Sequence, residues 1–268
     1  MSHVFKQTNK HVSELAGTTA TPTAEHTDNR LITKHSLSVV LPAYNEEHVI
    51  TMTVQDVLNQ FDRWGIDYEI IVVNDGSTDR TAELVARISA VHPQVRLINH
   101  ATNQGYGAAL VSGFDAASKS LTFFMDSDGQ FAIEELQSFF SFIDTYDAVI
   151  GYRLNRQDTW MRKANAWGWK ALVGLVLGVY VRDIDCAFKL MHTQLLRDSP
   201  LETRGAMINA ELLYKLKRTH RSYKEIGVHH FPRRAGSATG AKFSVILRAF
   251  RELISCSIKW HREELQHR

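Results

Sequence analysis

Two carboxylates, Asp126 and Asp128, stand directly after the apolar run Leu121 to Met125 and are followed by Gly129 and Gln130. An extended backbone alternates its side chains, so residues two apart project to the same side. Two hard oxygen donors at the mouth of a strand suit a divalent cation such as Mg²⁺ or Mn²⁺, which in turn can grip a diphosphate. The competing reading is a plain turn, because Asp, Ser and Gly are turn formers after a buried strand. Further polar clusters follow other apolar runs: Pro42, Tyr44, Asn45 and Glu46 after Leu37–Leu41, and Asn74, Asp75, Gly76 and Ser77 after Glu69–Val73. Asp75 reads either as a ligand-binding carboxylate or as an Asx turn opening the next helix.

The elements that would position these residues alternate. Strand patterns at Leu37–Leu41, Glu69–Val73, Val95–Ile98, Leu121–Met125 and Ala148–Ile150 are separated by helical patterns at Glu46–Phe61, Thr78–Ala90, Gly105–Ser118 and Ile133–Ile143. Such alternation predicts an α/β fold, a parallel sheet with right-handed crossovers and helices on both faces. Ligands then bind at the carboxyl ends of the strands, where all three polar clusters fall. After Arg153 the alternation breaks. A strand at Cys186–Met191, a helix at Asn209–Arg218 and a strand at Tyr223–His229 are predicted to close the domain.

Residues 1–34 are polar and read as a disordered tail, residues 35–236 as the main domain, and residues 237–268 as a C-terminal amphipathic helical segment. An insert at 158–181 is apolar nearly all round, with Trp167 and Trp169 at one end. From Lys242 to Trp260 the apolar residues Phe243, Ile246, Leu247, Phe250, Leu253, Ile254 and Ile258 recur at helical spacing. Helices of this kind either lie in a membrane interface or pack on the domain. No apolar run reaches the roughly 20 residues a spanning helix needs. The formal net charge of +2 gives no basic field for nucleic acid. Cys186 and Cys256 have no metal-ligand spacing, which favours buried thiols in a reducing compartment.

Four segments taken together, VVLPAYNEE at 39–47, IIVVNDGSTDRT at 70–81, NQGYGAAL at 103–110 and FFMDSDGQF at 123–131, resemble the family 2 glycosyltransferases. The resemblance covers roughly residues 36–235 and implies a GT-A fold, a Rossmann-like mixed but mostly parallel sheet, here with amphipathic interfacial helices added. Within the family the chain is most similar to the dolichyl- and polyprenyl-phosphate sugar synthases. The metal motif lacks a third acidic residue, and the run Glu225 to Gly236 resembles their basic segment. The QxxRW element of processive polysaccharide synthases is absent.

The resemblance implies an inverting transfer of one sugar from a nucleoside diphosphate sugar to a polyprenyl phosphate, dependent on Mg²⁺ or Mn²⁺. It implies an enzyme peripheral to the cytoplasmic face of the membrane. Pro42, Tyr44, Glu46, Asp75 and Asp126 match donor nucleotide positions, and Asp126, Asp128 and Gln130 the metal site. Arg153, Arg162, Arg233 and Arg234 match acceptor-phosphate positions, with Asp128, Arg153, Arg162 and Lys189 as the catalytic set. Asn74 stands where many relatives carry Asp, Lys189 where they carry Arg, and no serine accompanies Arg162.

Some roles stay open. Glu211 either orients the donor or faces water, and His229 and His230 are not needed as bases, because a phosphate monoester is already anionic near neutral pH. A soluble saccharide, small-molecule or protein acceptor is the alternative within the family. A haloacid-dehalogenase-type phosphatase also ends a strand in DxDG, but its motif opens the domain and continues with Thr instead of Gln130. A non-enzymatic scaffold would require a broken site, and none is visible.

Overall fold

The computed structural model describes residues 29–154, 160–233 and 243–266. Seven strands form one sheet: β1 (Ser36–Ala43), β2 (Asp67–Asn74), β3 (Val95–Asn99), β4 (Leu121–Met125), β5 (Ala148–Leu154), β6 (Phe188–His192) and β7 (Tyr223–His229). Their order is β3-β2-β1-β4-β6-β5-β7. All neighbours pair in parallel except β6, which runs antiparallel to both β4 and β5. The sheet is therefore mixed and mostly parallel, and the purely parallel sheet that alternation predicted is corrected at β6. That strand lies beyond the point where alternation breaks.

Helices cover both faces. They are α1 (Asn29–Thr33), α2 (Ile50–Trp64), α3 (Thr81–Val91), α4 (Tyr106–Ala116), α5 (Gln137–Phe140), α6 (Trp160–Leu177), α7 (Thr193–Asp198), α8 (Ile208–Arg218) and α9 (Phe243–Gln266). A single 3₁₀ turn at Ile133–Leu136 leads into α5, so the continuous helix predicted over 133–143 is broken up. Within the stretch expected to be a polar tail, α1 buries Ile32 completely.

Strand sequences explain the two-sided core. Val39 and Leu41 face a cluster with Val54, Phe61 and Phe123, while Val40 and Phe124 face the opposite cluster with Phe114, Met207 and Leu253. Period-2 alternation with both faces apolar is what a sheet covered on both sides demands. Gly65, in the left-handed region at φ 65°, ends α2 and lets the chain turn back into β2. Gly113 permits a closer approach, because a Cβ there would lie 2.2 Å from Val40 Cγ1. That contact seats α4 on β1.

The strand direction decides where the site lies. β1, β2, β4, β5 and β7 all run the same way, so the residues following them gather at one rim. β6 runs the other way, and its first residue, Phe188, pairs with Met125 at the end of β4. The loop that leads into β6 is thereby delivered to the same rim.

Candidate active site

The turn after β4 builds the floor of the rim. Ser127 points inward, its hydroxyl donating to the Pro42 carbonyl at 2.8 Å, while its own carbonyl accepts from the Thr53 hydroxyl at 3.0 Å. Gly129 adopts φ 72°, which side-chain-bearing residues avoid, and the Gln130 N–H returns to Asp128 Oδ1 at 3.1 Å. Asp126 and Asp128 are thus held on either side of a buried serine. Beside them opens a cavity of about 270 Å³ lined by Met52, Thr53, Asp126, Gly129, Phe131 and Phe231.

The two carboxylates sense burial and each other. Desolvation, then repulsion from Asp128, pushes the Asp126 carboxyl up to about 7. Desolvation also raises Asp128, with Arg233 opposing. The Tyr106 hydroxyl, buried at the start of α4, faces Asp126 and Asn209 without closing a hydrogen bond of normal geometry among the described residues. Among the described residues no group of three or more His, Cys, Asp or Glu could hold a metal ion. The protein therefore offers two carboxylates and the Gln130 amide. Gln130 Nε2 donates to the Phe231 carbonyl at 2.7 Å, which leaves the amide oxygen, the atom a metal would use, out of that bond. Such a hard-oxygen set fits Mg²⁺ or Mn²⁺ if a diphosphate and water complete the shell.

Arg233 follows β7 and closes over this floor. Its Nη2 donates to Asp128 Oδ2 at 2.7 Å and its Nη1 to Glu46 Oε1 at 3.1 Å. Arg233, matched to an acceptor-phosphate position, is thus paired here with the carboxylates of Asp128 and Glu46. Glu46 is half-buried, and desolvation raises its carboxyl despite that contact. Tyr44 is half-buried, and Pro42 is buried at the end of β1.

Asp75 is almost fully buried, and its contacts replace the helix-opening turn. It accepts the N–H of Gln104 at 2.9 Å and of Gly105 at 2.8 Å, and its Oδ1 lies 2.7 Å from His100 Nδ1. His100 Nε2 in turn lies 2.9 Å from the Ser112 hydroxyl. The Asx turn belongs to Asn74, whose Oδ1 accepts from Ser77 N–H, and Asp79 takes the Thr81 N–H at the start of α3. Asp75 therefore clamps the loop that carries Tyr106 to the rim.

Across the rim, Arg153 near the end of β5 makes a two-pronged pair with Asp183, Nε to Oδ2 at 2.7 Å and Nη2 to Oδ1 at 2.9 Å. That pair raises the guanidinium's pKa against the opposing effect of burial. A second cavity of about 270 Å³ adjoins it, lined by Trp167, Trp169, Lys170, Arg182, Asp183 and Asp185. Arg162 lies in α6, but its side chain is outside the described residues, as is Arg234.

Two expectations are corrected. Lys189, matched to the catalytic set, is completely buried in β6, where its ammonium donates to the carbonyls of Ile184 and Cys186 and to Asn209 Oδ1. Burial of an unpartnered ammonium costs several kcal/mol, and here the three oxygens, the charges of Asp183 and Asp185 and the Phe124 ring 5.4 Å away offset that cost. Glu211 neither faces water nor reaches the rim. It is fully buried in α8, accepting from Glu202 N–H, Thr203 N–H, the Thr203 hydroxyl and Lys215. His229 is exposed and tied to Glu135, and His230 packs edge-on against Phe131. Sequence reasoning missed Tyr106, His100 and Asp183; NQGYG had marked the first only as part of a motif.

Known proteins resemble this chain in sequence and in fold. A dolichyl-phosphate beta-glucosyltransferase of Trichomonas vaginalis is 33% identical over 177 residues, 59% of this chain and 52% of that protein. An undecaprenyl-phosphate 4-deoxy-4-formamido-L-arabinose transferase of Enterobacter is 28% identical over 225 residues, 83% of this chain and 67% of the relative. The chain thus spans about half the length of the first relative and two thirds of the second. Among solved structures, glucosyl-3-phosphoglycerate synthase from Mycobacterium tuberculosis in complex with phosphoglyceric acid superposes with a TM-score of 0.65 at 22% identity, covering 85% of this chain and 81% of that one. The same enzyme was solved with Mn²⁺, uridine diphosphate and glucosyl-3-phosphoglycerate, with a TM-score of 0.63. At that identity the likeness shows the fold, which is GT-A. The sequence profile of Glycosyl transferase family 2 matches residues 38–205, from β1 through the loop that Glu211 holds, and this chain belongs to that family of nucleotide-sugar-dependent glycosyltransferases.

Proposed function

We propose that the chain is an inverting, metal-dependent transferase that moves one sugar from a nucleoside diphosphate sugar to a polyprenyl phosphate at the cytoplasmic membrane surface. The observation that carries this reading is the acceptor named in the curated relatives, a dolichyl phosphate in one and an undecaprenyl phosphate in the other. An exposed apolar surface beside Arg153 supports it. Trp167, Leu175 and Tyr180 around α6 are 74%, 82% and 75% exposed, and Phe250, Ile254 and Ile258 of α9 are exposed as well. The two helices touch through Trp169 and Phe250, ring centroids 5.9 Å apart. No helix among the described residues is long and apolar enough to cross a membrane. Attachment through these two helices would be interfacial, by side chains that each gain about 1.5–3 kcal/mol if fully withdrawn from water.

Asp126, Asp128 and Gln130 would hold Mg²⁺ or Mn²⁺, whose charge neutralises the leaving diphosphate. Pro42, Tyr44, Glu46 and Asp75 line the donor's nucleoside side, Tyr44 offering a ring for stacking and Asp75 fixing the loop behind it. Arg153, held by Asp183 before any ligand arrives, presents a planar cation to the acceptor phosphate with little orientational cost, and Arg162 would join it. The acceptor phosphate is its own nucleophile, so no base is assigned.

The test is a panel of nucleotide sugars assayed with Mn²⁺ against a short polyprenyl phosphate and against soluble phosphorylated acceptors, with and without detergent. Transfer to the lipid phosphate alone is expected. Efficient transfer to a soluble acceptor without detergent would overturn the lipid reading in favour of the family's soluble-acceptor chemistry.

A further inference from the structure

The Arg233 fork occupies oxygens that a metal ion would need. Asp128 has one carboxylate oxygen engaged by the Gln130 N–H and the other by Arg233 Nη2, and the same guanidinium reaches Glu46. The arm that carries it is anchored to the metal motif itself, since Phe231 N–H donates to the Gln130 carbonyl at 2.8 Å and Gln130 Nε2 to the Phe231 carbonyl at 2.7 Å. Both acids are well covered, with side chains 6% and 13% exposed, so the contact is more than a loose surface pair.

We propose that Arg233 is a built-in counter-cation of Asp128 and Glu46, exchanged for the divalent ion as the donor arrives, so that metal and diphosphate bind cooperatively. This rests on the metal-dependent reading above and deepens it. A divalent ion held by Asp128 would touch the carboxylate that the guanidinium already contacts, and two cations so close would repel strongly. A diphosphate changes the balance because its oxygens suit the planar fork of arginine at least as well as carboxylates do. Each ligand then helps the other: the diphosphate draws the guanidinium away from Asp128, and the metal prevents its return. By linkage the two couplings are equal.

The experiment is Mn²⁺ binding to the full chain followed by electron paramagnetic resonance, without and with uridine diphosphate as the probe. Arg233→Gln should bind Mn²⁺ alone roughly tenfold more tightly than the unsubstituted protein, within the usual range of coupling between sites. The further tightening produced by the diphosphate should shrink by a similar factor. Arg233→Lys, which keeps a cation but cannot bridge two carboxylates, should fall between and carries the test if the Gln variant does not fold. Equal Mn²⁺ affinity of the folded variants and the unsubstituted protein would overturn the exchange while leaving the metal reading intact. Failure of all forms to bind Mn²⁺, with or without the diphosphate, would overturn both.

Discussion

Because burial and Asp128 push the Asp126 carboxyl up to about 7, this residue links the rim to pH. Its folded value lies above the unfolded value of about 4, so the folded state holds the proton more tightly. The stability this contributes is complete below pH 4 and is lost as pH rises toward 7. Metal-free protein should therefore melt lower at pH 7.5 than at pH 5, and Asp126→Asn should recover roughly 5 °C of that loss in a calorimetric scan. Asp128→Asn should abolish most divalent dependence of turnover, read as rate against Mn²⁺ concentration, with the fold intact. The rim motifs were legible in the sequence because each follows an apolar strand and strand ends converge. Lys189 was not, since a lysine normally snorkels to water, and the groups that make its burial tolerable, the carbonyls of Ile184 and Cys186 and the Asn209 amide among them, are brought to it by the fold. Nor was the Arg233–Asp128 pair, whose partners stand 105 residues apart.

Single elements carry a different kind of consequence. Glu211 in α8 holds the loop at Glu202 and Thr203, which leads to the segment packed against the start of α4 through Ala108 N–H and the Arg204 carbonyl at 3.1 Å. Glu211→Ala would leave Lys215 with only the Pro200 carbonyl and strip the Glu202 and Thr203 N–H groups of their acceptor, and should cost about 3–5 kcal/mol in urea unfolding. On α6 the apolar residues divide. Leu172 packs against the core cluster, whereas Leu175 and Val176 are exposed. Replacing Leu175 and Val176 by Ser should lower cosedimentation with liposomes and leave the melting temperature within about 2 °C, while Leu172→Ser should cost about 1–3 kcal/mol of stability. Helical spacing made α6 and α9 legible as helices. It did not reveal which side faces outward, because the apolar stripe of α9 is wider than its contact: Leu253 is buried and Ile254, one residue on, is 58% exposed.

At the scale of the molecule, a formal charge of +2 leaves little long-range field to draw the protein to an anionic surface. Attachment through α6 and α9 should then depend on short-range apolar burial. Raising NaCl from 0.1 to 0.5 M should weaken liposome binding by no more than about threefold, since screening acts on charge and not on buried area. A loss of binding over that range would point to the basic residues instead. The sheet order has a further consequence. β5 ends at the rim and the antiparallel β6 begins there, so the whole excursion between Leu154 and Phe188 departs from and returns to one edge. Its exposed positions, Trp167, Leu175 and Tyr180 among them, can change without moving any strand out of register, whereas Val173, Leu177, Val181 and Ile184 are buried in the core and the Ile184 and Cys186 carbonyls hold Lys189. On the function proposed above, the acceptor side is thus a replaceable module on a donor-side chassis, and exchanging the outward-facing part of this excursion between relatives is a route to new acceptors with the residues proposed for nucleotide and metal left as they are.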